Sequence, residues 1–96
     1  MTKQEYAEKF EDLVGKRFRT IAELENYIHK KFDNKHRTRF DFSYINYEED
    51  FTPDWDICTY IENDEISCDL DIYFLYDREQ RIYITEVGYE IEMVED

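Results

Sequence analysis

The residues of this chain best suited to chemistry are carboxylates. In DEISCDLDIYF, residues 64–74, the apolar Ile66, Cys68, Leu70, Ile72 and Phe74 alternate with Asp69 and Asp71. That is the period of a β-strand with one buried face. Carboxylates repeated on the other face can serve as an acid/base pair, as ligands for a cation, or as negative charge shown to a basic partner.

The first two uses find little support in the pattern. His29 and His36 stand seven residues apart with no cysteine or carboxylate at ligand spacing, and both are expected on the surface. No H-E-x-x-H, G-x-S-x-G, P-loop or Rossmann glycine pattern occurs, and two glycines cannot build a phosphate cradle. EEDFTPDWD and ENDEISCDLD lack the ligand spacing and central glycine of an EF-hand loop. The chain is therefore read as a non-enzyme with no catalytic residues, no cofactor and no assigned metal ligands.

The elements that position the carboxylates follow from periodicity. Thr2 with Glu5 and Thr20 with Glu23 have capping-box spacing. The first box precedes a helical stripe of Tyr6, Phe10, Leu13 and Val14 closed by Gly15; the second precedes Ile21, Leu24, Ile28 and Phe32. From residue 38 the period becomes two, through Phe40, Phe42 and Tyr44, then Trp55, Ile57, Thr59 and Ile61, then the quoted strand, then Ile82 and Ile84 on to Tyr89, Ile91 and Met93. Gly88 falls where the apolar parity switches, which predicts a bulge there. Pro53 is expected in the loop before the second strand. The expected fold is α+β, with two N-terminal helices packed on one face of a four-stranded antiparallel sheet (ααββββ). It is one domain over residues 1–96, helical in 1–36 and sheet in 38–94.

Two hairpins set the expected register. With Asn63-Asp64 and Arg78-Glu79 as two-residue loops, Ile57 faces Leu70, Trp55 faces Ile72, Asp56 faces Asp71, and Asp71 faces Glu86. Asp56, Asp71 and Glu86 then form a row across three strands at about 4.8 Å spacing, with Asp69 about 6.8 Å further along. Tyr60, Glu62 and Tyr73 share that face, and Leu75, Ile82 and Ile84 join it toward the second turn. Like charges directly opposite one another destabilise a sheet, so folding does not account for the row. Such a row could hold a divalent cation only loosely. Cys58 and Cys68 fall on opposite faces and are expected as unbridged thiols.

Charge distribution carries the functional expectation. Residues 1–39 hold 10 Lys/Arg against 7 Asp/Glu, a net of +3, while residues 40–96 hold 2 against 18, a net of −16. Solubility needs a net magnitude of only about 2–8 in a small domain. The excess repels itself until a cationic partner neutralises it. Direct nucleic-acid binding through this face is not expected, because that affinity comes from Lys and Arg. The cluster Lys30, Lys31, Lys35, His36, Arg37 and Arg39 is read as dipole pairing and solvated loop. Nine tyrosines offer apolar area with a hydroxyl, a composition suited to an interface. No apolar run reaches 18 residues, and MTKQEYAEKF lacks the apolar stretch of a signal peptide, so a cytoplasmic protein without membrane contact is expected.

Small size, strong acidity, an α+β pattern and the lack of a catalytic motif together resemble the phage-encoded anti-CRISPR and DNA-mimic anti-restriction proteins. The resemblance is to a class, carried by the composition of residues 40–96. It implies an acidic inhibitor that occupies the nucleic-acid groove of a basic enzyme, a Cas effector or a restriction nuclease, by phosphate mimicry in the host cytoplasm. The expected partner-binding residues are Asp56, Tyr60, Glu62, Asp69, Asp71, Tyr73 and Glu86. The alternatives are a nuclease-toxin immunity protein, or a small phage or bacterial structural or regulatory protein that acts through oligomerisation, a homodimer included.

Overall fold

Thr2 opens the first helix as the spacing predicts. Its hydroxyl accepts from the Glu5 backbone N–H at 3.2 Å, and the Glu5 carboxylate accepts in return from the Thr2 N–H at 3.2 Å. In this computed structural model residues 2–32, 38–49 and 52–94 are described, 44–49 and 52–55 for their backbone alone. Helix α1 runs Lys3–Glu11, strand β1 Arg17–Phe18, helix α2 Ile21–Phe32, and strands β2 to β5 Arg39–Glu49, Thr52–Glu62, Ile66–Tyr76 and Ile82–Met93. The second cap is a variant of the box: Thr20 Oγ1 accepts from Glu23 N–H at 3.1 Å, while the Glu23 carboxylate reaches back to the Arg19 N–H at 2.8 Å. None of the described helices is long and apolar enough to cross a membrane.

The sheet is antiparallel, with five strands in the order β1-β5-β4-β3-β2. The fifth strand corrects the four-stranded expectation. Arg17 and Phe18 pair with Tyr83 and Ile82. Gly15, at φ 88°, turns the chain so that its N–H donates to Ile84 O at 2.8 Å and Lys16 O accepts from Ile84 N–H at 3.1 Å. A two-residue strand has no periodicity, so nothing in the pattern announces it. Lys35, His36 and Arg37 of the basic cluster, and Asp50 and Phe51, lie outside the described residues. Pro53 belongs to β3, where it pairs with Glu48, rather than to a loop.

Tyr6, Phe10 and Leu13 from the first helical segment and Leu24, Ile28 and Phe32 from α2 are buried against Ile57, Ile61, Ile66, Cys68, Leu70, Ile72, Phe74, Ile82, Ile84 and Ile91 of the sheet. Val14 is exposed instead of joining its stripe, because α1 ends at Glu11 before reaching it. Phe10 packs on Phe32 at 4.9 Å and on Tyr89 at 5.5 Å. Helix α2 touches both edges of the sheet. Tyr27 lies 5.4 Å from Phe18 of β1, and His29, exposed as expected, lies 4.3 Å from Phe40 of β2. The sheet therefore curls around the helix and turns its polar side outward.

Both hairpin registers differ from expectation, and turn chemistry is the reason. Asn63 Oδ1 accepts from the N–H groups of Glu65 and Ile66, each at 2.8 Å, and Asn63 N–H donates to Ile66 O at 3.0 Å. Asn63 thus begins the turn, the loop is Asp64-Glu65, and partners slide by two residues. Cys58 faces Asp71, Ile57 faces Ile72 and Asp56 faces Tyr73. A two-residue slide preserves every face while changing every partner.

In the second hairpin Asp77 Oδ1 accepts from Glu79 N–H at 2.8 Å and Arg81 N–H at 3.0 Å, and Gln80 takes φ 63°, so the loop spans 77–81. Tyr76 therefore pairs with Ile82 and Phe74 with Ile84, which puts both isoleucines in the core and not on the carboxylate face. The parity switch is real, but it lies between Ile84 and Glu86, opposite Tyr73/Phe74, and not at Gly88. Thr85 is the extra residue of that bulge.

Candidate acidic face and its cysteine cluster

Side chains on the outer face form lateral rows from β2 to β5. One reads Asp41, Tyr60, Asp69, Glu90; the next reads Ser43, Cys58, Asp71, Gly88. A third carries Asp56, Tyr73 and Glu86 across β3, β4 and β5, and at the other end Glu62, Ser67 and Glu92 align. The expected row of Asp56, Asp71 and Glu86 is therefore not formed. Most carboxylates face a neutral partner, which relieves the repulsion that an aligned row would create. Asp69 opposite Glu90 remains a direct like-charge pair.

All seven expected residues share the outer face, but they differ in access. Asp69, Glu62 and Glu86 are exposed, Tyr60, Asp71 and Tyr73 are half-buried, and Asp56 is only 5% exposed. Asp56 therefore cannot serve as an open contact. Tyr60 is held in place by its hydroxyl, 2.7 Å from Glu62 Oε2 and 2.8 Å from Ser67 Oγ. The one described cation among these rows, Arg39, is 2.9 Å from Asp41. An open groove of about 550 Å³ runs over the middle of the face, lined by Asp41, Ser43, Cys58, Tyr60, Asp69, Asp71, Gly88 and Glu90 among others. Gly88 contributes no side chain, so the Asp71 end of the groove stays open.

Asp41 and Glu90 were not among the expected residues of this face, and Cys58, expected on it, was given no role there. The first two continue the same alternation, in RFDFSY and YEIEM, and that signal was available. Cys58 shares its strand face with Asp56 two residues away, but an isolated thiol carries no signal of its own. Here Cys58 Sγ lies 2.9 Å from Asp71 Oδ1, to which the thiol donates, and 3.8 Å from Asp56 Oδ2. The hydrogen bond to Asp71, then burial and the charges of Asp56 and Asp71, push the Cys58 thiol up to about 12. Burial, with the Asp71 charge second, raises the Asp56 carboxyl above the usual carboxylate range, against the lowering effect of the Cys58 hydrogen bond. Burial and the surrounding acids Asp56, Asp71 and Glu86 also raise the Tyr73 phenol. Cys68 is buried in the core on the opposite face, and both cysteines are free.

No protein family, no curated protein and no solved structure matches this chain.

Proposed function

We propose that the outer face binds a cationic protein surface of the kind that grips nucleic acid, and that the chain acts as a stoichiometric inhibitor of such an enzyme. The observation that carries this reading is the row Asp41, Tyr60, Asp69 and Glu90. It places exposed carboxylates side by side on a rigid sheet, around a tyrosine whose hydroxyl is fixed. Strand spacing sets Asp69 and Glu90 about 4.8 Å apart across the sheet and Asp69 and Asp71 about 6.8 Å apart along it, close enough to mimic a run of phosphates. Holding Asp69 against Glu90 costs folding energy, and a basic groove would offset that cost on binding. Asp71, Glu62, Glu86 and Tyr73 extend the surface, while Asp56, buried in the row of Tyr73 and Glu86, stays out of direct contact.

The test is titration of the protein into cleavage assays of RNA-guided and restriction nucleases. Inhibition should be stoichiometric, should weaken as salt screens the contact, and should be relieved by excess nucleic acid. A variant combining Asp41→Asn, Asp69→Asn and Glu90→Gln should lose about tenfold or more in affinity, since close interfacial charge pairs couple by roughly 1.5–7 kcal/mol. Full inhibition by that variant, or no binding to any such enzyme at low salt, refutes the reading.

One observation favours a second reading, action through self-association. Strand β2 stands last in the sheet order, and among the described residues one long edge of it is unpaired. Open edges invite pairing with another strand. A dimer mass in light scattering that persists at low protein concentration would favour that reading.

A further inference from the structure

We propose that Asp56, Cys58 and Asp71 form a binding site for one borderline divalent transition-metal ion of the zinc type, with the Cys58 sulfur and one oxygen from each carboxylate as ligands. Each of these residues offers a donor atom, and the three atoms lie within 4.8 Å of one another. Ligands at about 2.0–2.3 Å from a tetrahedral ion sit about 3.4–3.6 Å apart. The sulfur is already 3.8 Å from Asp56 Oδ2 and 2.9 Å from Asp71 Oδ1, so seating an ion needs only small side-chain adjustments.

A second observation points to a missing cation. Asp56 is more than nine-tenths buried and turned toward Cys58, and its other oxygen, Oδ1, is buried with no hydrogen-bond partner among the described residues. Neither Asp56 nor Asp71 has an ion pair among those residues. A buried carboxylate without a counter-charge is costly, and such groups are found paired or coordinating a metal. The donor set selects the ion. A thiolate with two carboxylates suits zinc-like ions, whereas calcium takes 6–8 oxygens and magnesium demands an oxygen octahedron. On binding, the metal–sulfur bond replaces the S–H bond, and the proton leaves to solvent. Cys58 and Asp71 line the groove, so a fourth position opens onto it and takes water.

The protein, stripped with a chelator and dialysed, is titrated with Co²⁺ followed by absorption and with Zn²⁺ followed by calorimetry. One ion per chain is expected, with a sulfur-to-cobalt charge-transfer band that Zn²⁺ removes by displacement. Cys58→Ser should abolish the band, and both Cys58→Ser and Asp71→Asn should weaken Zn²⁺ by at least about tenfold. Glu8→Gln on α1 should change neither. If either variant fails to fold by circular dichroism, the native chain still decides: bound Zn²⁺ should slow alkylation of Cys58, read by peptide mass. No charge-transfer band, unchanged Zn²⁺ affinity in a folded Cys58→Ser, or alkylation indifferent to Zn²⁺ overturns the site.

Discussion

Replacing Thr59 by valine should stabilise this protein, against the usual direction of core substitutions. Thr59 points into the core from β3, between Phe42 of β2 and Leu70 of β4, and is 2% exposed. Its Oγ1 is buried and has no hydrogen-bond partner among the described residues. A buried hydroxyl left unsatisfied costs about 1–3 kcal/mol. Valine has nearly the same shape and the same β-branching, so packing and strand preference are retained while that cost disappears. The buried methyl adds a favourable contribution below the roughly 0.8 kcal/mol of a full methylene. The net expectation is a gain of about 1–2 kcal/mol, and each kcal/mol raises Tm by about 4–8 °C in a domain of this size. Urea unfolding measures it, as a higher midpoint at constant m-value. A loss of more than about 0.5 kcal/mol at unchanged m would show that the hydroxyl is satisfied, and would refute the packing described around β3.

Three further outcomes are expected. Leu70→Ala removes a fully buried side chain from the centre of the sheet and should cost about 2–5 kcal/mol in chemical unfolding; a loss below about 1 kcal/mol would mean the sheet faces are reversed. Because the folded protein holds the Asp56 proton above the ordinary value of 3.8, stability in chelator should fall as pH rises from there through the raised value, and Asp56→Asn should flatten that limb of a Tm–pH profile. Below 3.8 the slope reverses, since Asp77, whose carboxyl is lowered chiefly by the backbone N–H of Arg81, loses that stabilisation as it protonates. Both thiols are pushed up to about 12, so native alkylation at pH 8 should be slow, Asp71→Asn should speed it at Cys58, and a reductant should leave Tm unchanged.

Much of the fold was legible because it rests on local rules. Thr2 and Thr20 start helices where their spacing says, and Leu24, Ile28 and Phe32 form the buried stripe of α2. The alternation through residues 64–74 places Leu70 and Ile72 inside and Asp69 and Asp71 outside. The candidate face was legible for the same reason: parity survives a slide of two residues, so Asp69, Tyr60 and Glu62 stay on the side their alternation assigns. Partner identity was not legible. It depended on whether Asn63 opened or occupied its turn, and on how far the Asp77 carboxylate could stretch the next one. Those are competitions between side-chain and backbone hydrogen bonds, worth about 1 kcal/mol each, which apolar periodicity does not report.

By itself, the sequence determined an α+β chain with a basic helical half and an acidic sheet half, and it determined which residues of β3 and β4 face out, because both follow from residue type and a period of two; the facing of Ile82 and Ile84 waited on the second turn. Only the tertiary structure decided that Asp56 is buried, that Cys58 stands between Asp56 and Asp71, and that Gly88 leaves that end of the groove open. Those facts arise from which strand lies beside which and at what offset, and from the curl of the sheet around α2 that ties both of its edges to one helix.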